Sequence, residues 1–333
     1  MPDREPQTSL LSSRHRRVII LSLILAAVLY LTVVVVTGFE QAISAFQSIG
    51  ISGWLMLFTA SLANYSLRYI RWQYYLRSAG LNLGHNLHFR YYLSAFALTT
   101  TPGKMGEIIR SVLLRPHGIP YHTSLACFFT ERFLDLIVVA IIAMFALLHF
   151  SDYNTFILIF IITLTGLLPV IRSKFILALL GNWQHKLGKT RLGHFLGHGI
   201  ILLKNAHIFL APKSLYTGLL IGLLAWSLQG FAFYFILHTL GYETSLTIAL
   251  GIYAVSLLAG AASFIPGGIG STELMMGLLL IVSGADKSIA ITAPIISRLS
   301  TLWFAVVVGL LSAGSLGLHR QQQTVNRTTT ESE

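Results

Sequence analysis

The sequence predicts an all-α polytopic membrane protein with about six full spans plus two re-entrant helical hairpins in an inverted repeat. Three observations support this fold class. The 333 residues are 54% apolar and 11% charged, whereas a typical soluble domain has about 25% charged residues. Apolar stretches recur at the length of about 20 residues that a spanning helix needs. Two such stretches are interrupted by matching Pro-Gly sequences.

Six apolar segments are long enough to cross a membrane unaided. They lie near residues 18–37, 52–72, 122–149, 154–171, 214–239 and 288–317. The apolar core of the first is longer than the roughly 7–15 residues of a signal-peptide core, and no clear A-x-A cleavage site follows it. We therefore expect an uncleaved first helix after a cytoplasmic N-terminal segment, 1–17.

Basic residues cluster in alternate connecting segments. The basic loop 172–213 carries seven Lys/Arg and no acid, and Arg68 and Arg71 stand near the end of the second span. By the positive-inside rule, both termini and this loop are cytoplasmic, in a bacterial-type cytoplasmic (inner) membrane. The net charge of +11 is then solvated and sets orientation, so we expect membrane lipids and no nucleic acid as partners.

Two further apolar stretches, 89–115 and 246–283, are broken by Pro and Gly. If 89–115 crossed the membrane once, the basic loop 172–213 would lie outside, against the charge rule. If 246–283 crossed once, the tail with Arg320 and Arg327 would lie outside, which breaks the same rule. We therefore expect each to enter the membrane and turn back at its Pro-Gly sequence, from opposite faces. The predicted tip residues are Pro102, Gly103, Lys104 and Gly106 in the first copy and Pro266, Gly267, Gly268 and Gly270 in the second.

The order span, hairpin, span then occurs twice within one transmembrane domain, 18–318, which precedes a cytoplasmic tail, 319–333. Repeat one is 52–149 and repeat two is 214–317, in opposite orientation, as in many secondary transporters. A broken helix frees backbone N–H groups, which tolerate membrane depth only inside protein or beside a wet cavity. Half-helix N-termini also attract anions. Packing through small residues is an alternative explanation of the glycines, but two copies in register with buried charges favour a substrate site.

Each tip is followed by a buried-looking arginine at the same distance. Glu107 precedes Arg132 by 25 residues, and Glu273 precedes Arg298 by 25 residues. A charge at mid-membrane costs about 2.5–3.5 kcal/mol, so we expect these residues to pair. The pairs could be purely structural, the glutamates could cap the half-helices, or the arginines could bind an anionic head group.

Glu131 and Asp135 lie four residues apart on one helix face, where two charged acids repel each other. Either a base lies between them, with Arg110 and Arg68 as candidates, or one acid is protonated. An acid cluster within the membrane could also relay protons.

The sequence gives little support for a disulfide, a metal site or a catalytic site. Cys127 is the single cysteine, so no disulfide or cysteine-based metal site is expected. His194 and His198 have i, i+4 spacing but no third ligand, and residues 192–210 fit an amphipathic interfacial helix. We expect no metal, no cofactor and no catalytic residue.

The sequences TTPGKMGEIIRSVLL, FFTERFLDLIVV and FIPGGIGSTE, and SRL in the last span, resemble one family over about residues 20–318. It is the flippase-like transmembrane family of lysylphosphatidylglycerol synthetases, also called UPF0104 or YbhN-like. The resemblance implies transfer of an anionic or aminoacylated lipid between leaflets. The chain departs from the family pattern at Lys104, where a glycine is frequent.

The resulting expectation is a lipid transporter in which both tips hold a phosphate-bearing head group. Two alternatives stay open. One is an intramembrane enzyme acting on a lipid phosphate or glycan carrier, with Glu131 and Asp135 as its acid–base pair. The other is a non-catalytic partner of a lipid synthetase, docking through the basic loop 172–213.

Overall fold

The computed structural model of this chain describes residues 13–147, 154–188 and 190–316. The described residues form helices joined by turns, which confirms the all-α class. The α-helices are α1 Ser13–Ser78, α2 His85–Ser94, α3 Ile109–Leu114, α4 Tyr121–Leu147, α5 Asn154–Arg172, α6 Lys174–Leu187, α7 Arg191–Phe209, α8 Pro212–Thr239, α9 Leu246–Ala262, α10 Ser271–Val282 and α11 Lys287–Arg298. The predicted tail 319–333 lies outside the described residues.

The two spans predicted at 18–37 and 52–72 both fall within α1, so the loop expected between them is wrong. Gly50 within α1 has a φ of 63°, outside the right-handed helical range, so the helix geometry is interrupted at this glycine. The part Phe46–Ser78 is long and apolar enough to cross a membrane, as are Pro212–Thr239 and Lys287–Leu316. The last of these continues α11 through a π-helical turn at Leu299–Trp303, and we use α11 for the whole helix.

Both Pro-Gly sequences break their helices as predicted. Between α2 and α3 the chain forms 3₁₀ turns at Ala95–Leu98 and Pro102–Ile108. Between α9 and α10 it forms a shorter turn at Pro266–Gly268. In each case the two flanking helices pack against each other. We call α2–α3 the first hairpin and α9–α10 the second hairpin.

The contacts between elements occur in corresponding pairs. Helix α1 packs against α8. Helix α4 packs on the second hairpin through α9, and α11 packs on the first hairpin, where Ser312 Oγ donates to the Arg90 carbonyl over 2.8 Å. Contacts of α4 with α3 and α8 have counterparts in contacts of α11 with α10 and α1. Each half of the chain thus contributes a helix, a hairpin and a further helix to the packing of the described residues.

The basic segment 172–213 is helical and not an extended loop. Helices α6 and α7 pack against each other, and α7 also packs against α4. The end of α7 is part of the apolar core, since Phe209 and Leu210 are buried beside Tyr75 of α1. The helix predicted at 192–210 is therefore present as α7, whereas α6 was not predicted from the sequence.

Candidate functional site

The two hairpins meet at their tips. The turn Pro102–Ile108 contacts the turn Pro266–Gly268, and a Cβ built on Gly267 would lie 3.4 Å from Thr100 Cα. Gly267 and Gly268 have φ values of 64° and 65°, a left-handed conformation that glycine adopts without a Cβ clash. Glycine is therefore required by the backbone at the second tip.

The first tip is built differently. Gly106 N donates to Thr101 Oγ1 over 2.6 Å. A Cβ on Gly106 would come within 2.5 Å of Leu98 Cβ, so only glycine fits where the chain passes this close to Leu98. Lys104 has a φ of 57°, which is uncommon for a residue with a side chain. Pro102 and Gly103 lie in the same turn, and their side-chain surroundings are outside the described part.

The ion pair predicted at the second tip is present. Arg298 Nε lies 3.0 Å from Glu273 Oε1, and Arg298 Nη2 also donates to the Gly267 carbonyl. The second oxygen of Glu273 accepts from Gly270 N over 2.8 Å. Glu273 therefore caps α10 and neutralises Arg298 at once, and Arg298 links α11 to the turn.

The corresponding pair at the first tip does not form, so that prediction is wrong. Glu107 accepts from Thr99 Oγ1 over 2.9 Å, and its nearest cation is Arg68 Nη2 at 3.9 Å. Arg132 Nη2 instead lies 3.0 Å from Asp135 Oδ2. The cause is local: Asp135 is three residues beyond Arg132 on the same helix face. In the second repeat the residue three positions beyond Arg298 is Thr301, which offers no carboxylate.

Arg71 is the base that separates Glu131 from Asp135. Its Nη2 lies 2.6 Å from Asp135 Oδ1 and its Nε lies 3.5 Å from Glu131 Oε1. Arg110, one of the two predicted candidates, contacts the other oxygen of Glu131 at 2.8 Å. Arg68 contacts neither acid in this way, so its prediction as the intervening base is wrong.

The prediction that Arg68 and Arg71 are solvated is also wrong, since both are buried. The signal for this was present in the sequence. Ser61, Asn64, Arg68 and Arg71 follow one another at spacings of three and four residues, which places them on one helix face. All are buried, so this face of α1 forms a polar stripe toward the protein interior.

A cavity of about 500 Å³ lies where the two tips meet α1, α4, α8 and α11. Four basic side chains line it: Arg68 of α1, Lys104 of the first tip, Arg132 of α4 and Arg298 of α11. Asp135 is the one acid among the lining residues, and it already contacts Arg71. The polar end of the cavity therefore favours negative charge.

Much of the remaining lining is apolar. Leu136 and Val139 of α4 and Leu257 and Leu258 of α9 form apolar walls, and Phe264 lines the cavity beside the second tip. Uncharged polar residues, among them Asn64, Gln229 and Thr272, line it as well. Phe264 is 80% exposed, so this end of the lining faces the surroundings of the protein. The cavity thus combines the four basic side chains, which we call its basic end, with apolar walls.

Trp226 of α8 contacts several charged residues of the basic end, and no signal in the sequence predicts this role. Its Nε1 donates to Asp135 Oδ1 over 3.1 Å. Its ring lies 5.8 Å from Arg68 Cζ and 5.7 Å from Lys104 Nζ, close enough for cation–π attraction. The indole therefore contacts one acid and two bases of the cavity.

The predicted site residues divide into two groups. Those that line the cavity are Lys104, Arg132, Asp135, Gly267, Gly268 and Arg298. Those that support the lining from outside it are Gly106, Glu107, Arg110, Glu131, Gly270 and Glu273. Pro266 is exposed in the second turn. The described residues contain no group of three His, Cys, Asp or Glu side chains placed to hold a metal ion.

This chain is similar to several known proteins, three of which are as follows. A UPF0104 membrane protein of Pyrococcus horikoshii is 23% identical over 272 residues, covering 72% of this chain and 80% of the relative. A UPF0104 membrane protein of Methanothermobacter thermautotrophicus is 22% identical over 275 residues, covering 74% and 80%. Phosphatidylglycerol lysyltransferase of Bacillus subtilis is 27% identical over 92 residues, which is 27% of this chain and 11% of that protein.

The model of the lysylphosphatidylglycerol synthase TM region family matches residues 19–309. This match takes in both hairpins, the cavity and its four basic side chains. Together with the apolar helices and the UPF0104 relatives, it confirms the family resemblance of the sequence. The chain belongs to the lysylphosphatidylglycerol synthase TM region family of membrane proteins.

Proposed function

We propose that this protein transfers a phosphate-bearing lipid or lipid-linked carrier between the leaflets of a cytoplasmic membrane. The observation that carries the proposal is the cavity, which combines four basic side chains with apolar walls. A lipid has the same two parts. Its head group would occupy the basic end near the tips, and its tail would leave past Phe264 into the bilayer.

The basic end suits a phosphate. Arg68 and Arg298 are buried, and a guanidinium presents paired donors that match phosphate oxygens. Burial also strengthens attraction, because a low dielectric screens charge less than water does. A head group that left the aqueous surface would exchange its water contacts for these cations, which lowers the barrier to crossing.

The length of the hairpin helices supports re-entry in this proposal. At about 1.5 Å per residue, the 17 residues of α9 and the 12 residues of α10 each fall short of a bilayer core of about 30 Å. Each hairpin would then enter and return, the two from opposite faces. Their tips would meet near mid-membrane, and movement of the two repeats would open the cavity to each side in turn.

The enzyme alternative finds less support. Glu131 contacts Arg71 and Arg110, and Asp135 contacts Arg71 and Arg132. Each of the four carboxylate oxygens therefore lies within ion-pair distance of an arginine, so neither acid offers a free oxygen to a substrate. A lipid synthetase, suggested by the name of the Bacillus subtilis relative, would be the partner that supplies the lipid, and not an activity of this chain.

Transfer of lipid in liposomes tests the proposal. Purified protein would be reconstituted with a trace of head-group-labelled phospholipid, and the fraction reached by a membrane-impermeant quencher would be followed over time. We expect wild-type protein to speed transfer and Arg132→Gln to slow it by about tenfold, a loss of about 1.4 kcal/mol of stabilisation. Asp135 keeps Arg71 as a partner in this variant, so the fold should persist.

Arg115→Gln is the matched control, because Arg115 is exposed at the end of the first hairpin. It should transfer lipid at the wild-type rate. If wild-type protein transfers no more lipid than empty liposomes, the proposed function is wrong. If Arg132→Gln equals the control, the cavity is not the route.

A further inference from the structure

The buried charges around the first tip do not balance. Three buried carboxylates lie there, those of Glu107, Glu131 and Asp135. Five basic side chains of the described residues lie around the same tip: Arg68, Arg71, Arg110 and Arg132, which form ion pairs with these acids, and Lys104, which lines the cavity beside them. The second tip is balanced, because Glu273 pairs with Arg298. By formal charge, the described residues around the cavity therefore carry two positive charges in excess.

The excess lies on the cavity side. Glu131 is held by Arg71 and Arg110, behind the cavity wall. Arg68 is 4% exposed and lines the cavity, yet its Nε and Nη2 atoms donate to no hydrogen-bond acceptor among the described residues. Its one ion pair, to Glu107, is long at 3.9 Å.

Lys104 and Arg132 are incompletely partnered too. Within the described part of the chain, Lys104 contacts the ring of Trp226 but has no ion pair. Arg132 shares Asp135 with Arg71. Arg68, Lys104 and Arg132 come from α1, the first tip and α4, so they approach the basic end from three directions. We call them the cation triad.

We propose that the head group held here carries a dianionic terminal phosphate, that of a phosphate monoester. This inference rests on the proposed function and names its substrate class. A phosphate monoester carries about −1.5 to −2 charges at pH 7 and has three acceptor oxygens. It therefore matches the two excess charges and offers one oxygen to each member of the cation triad.

The same balance disfavours other head groups. A phosphodiester such as phosphatidylglycerol carries one negative charge and two free oxygens, which would leave one excess charge buried. A zwitterionic head group would leave both excess charges buried without a partner. A lysylated phosphatidylglycerol has a net positive charge and would be repelled, since like charges in a buried site cost free energy. The apolar walls formed by Leu136, Val139, Leu257 and Leu258 favour a lipid over a soluble phosphate.

Equilibrium binding to purified full-length protein in detergent micelles at pH 7.4 tests this inference. The probes are dioleoyl phosphatidic acid, dioleoyl phosphatidylglycerol, dioleoyl phosphatidylcholine and inorganic phosphate. We expect phosphatidic acid to bind at least about tenfold more tightly than phosphatidylglycerol, because charge-assisted contacts to phosphate are among the strong ones. Lys104→Met and Arg68→Gln should each reduce this preference by several-fold.

Lys213→Met is the matched control, because Lys213 is exposed at the start of α8 and should keep the full preference. Equal binding of the two anionic lipids overturns the inference, as does binding of inorganic phosphate without any preference among lipids. Binding can be measured without translocation, so the experiments can contradict the proposed head group and the proposed transfer function independently. Transfer in liposomes without a head-group preference contradicts only this inference, and preference without transfer contradicts only the proposed function.

Discussion

Arg298 and Glu273 form a buried ion pair, with Nε and Oε1 3.0 Å apart, that joins α11 to the second tip. The same guanidinium donates to the Gly267 carbonyl. The same carboxylate caps α10 through Gly270 N. One pair of side chains therefore fixes the position of a half-helix, its turn and the helix packed beside them.

Glu273→Ala should destabilise the protein strongly. Removing one member of a buried pair leaves the other charge uncompensated, at a cost of about 3–5 kcal/mol. Thermal unfolding of the purified protein, followed by tryptophan fluorescence, should show a clearly lower Tm. Glu243→Ala is the control, because Glu243 is 83% exposed and should melt like the wild type. Equal melting of the two variants would refute a structural role for the pair.

Lys104→Gly should change stability and transport in opposite directions. A left-handed conformation costs a residue with a Cβ about 1–2 kcal/mol relative to glycine, and Lys104 has a φ of 57°. The variant should therefore melt at a higher temperature. It should also transfer phosphate lipid more slowly, because the cation triad loses its ammonium. An unchanged transfer rate would mean that Lys104 does not contact the substrate.

Gly309→Ala tests the packing of α11 on the first hairpin. A Cβ at this position would lie 2.1 Å from the backbone nitrogen of Ala97, and backbone cannot move aside as a flexible side chain can. We expect a loss of about 1–3 kcal/mol from overpacking. Gly314→Ala, in the same helix, has no atom within 4 Å of its Cβ and should be neutral or slightly stabilising. Equal stability of the two variants would contradict this packing.

The predicted topology places the basic loop 172–213 and Glu243 on opposite sides of the membrane. Cys127 is fully buried, so an impermeant maleimide should not label it in intact cells. Lys186→Cys should be labelled only after the membrane is opened, whereas Glu243→Cys should be labelled from outside. Labelling of both positions from the same side would overturn the inverted repeat.

Much of the fold could be predicted, because membrane-spanning helices are recognised by the length of their apolar segments and by the distribution of charged residues between them. The breaks at Pro102 and Pro266 and the pair Glu273–Arg298 follow from local chemistry and spacing. The sequence does not reveal α6, because its basic composition is typical of a connecting loop, although Ser173 caps that helix by accepting from Ile176 N. Gly50, where α1 is interrupted, lies between the predicted spans 18–37 and 52–72, but the helix resumes without the loop that was expected there.

The site was harder to predict than the fold. The equal spacing of Glu107–Arg132 and Glu273–Arg298 predicts two equivalent ion pairs. Arg132 instead pairs with Asp135, and no acid stands at the corresponding position after Arg298. Arg71 and Trp226 reach the acid cluster from helices distant in sequence, and such contacts depend on tertiary packing. Residue spacing alone specifies which face a side chain occupies, but not which partner it meets.

The central claim is that lipid passes through the cavity between the two tips. Ala261 lines the cavity and is exposed, so Ala261→Trp should obstruct the route while the protein folds normally. Ala313→Trp, on an exposed position of α11 outside the lining, controls for added bulk. In reconstituted liposomes Ala261→Trp should transfer phosphate lipid at least about tenfold more slowly than Ala313→Trp, a barrier increase of about 1.4 kcal/mol. Equal transfer rates for the two folded variants would contradict the claim.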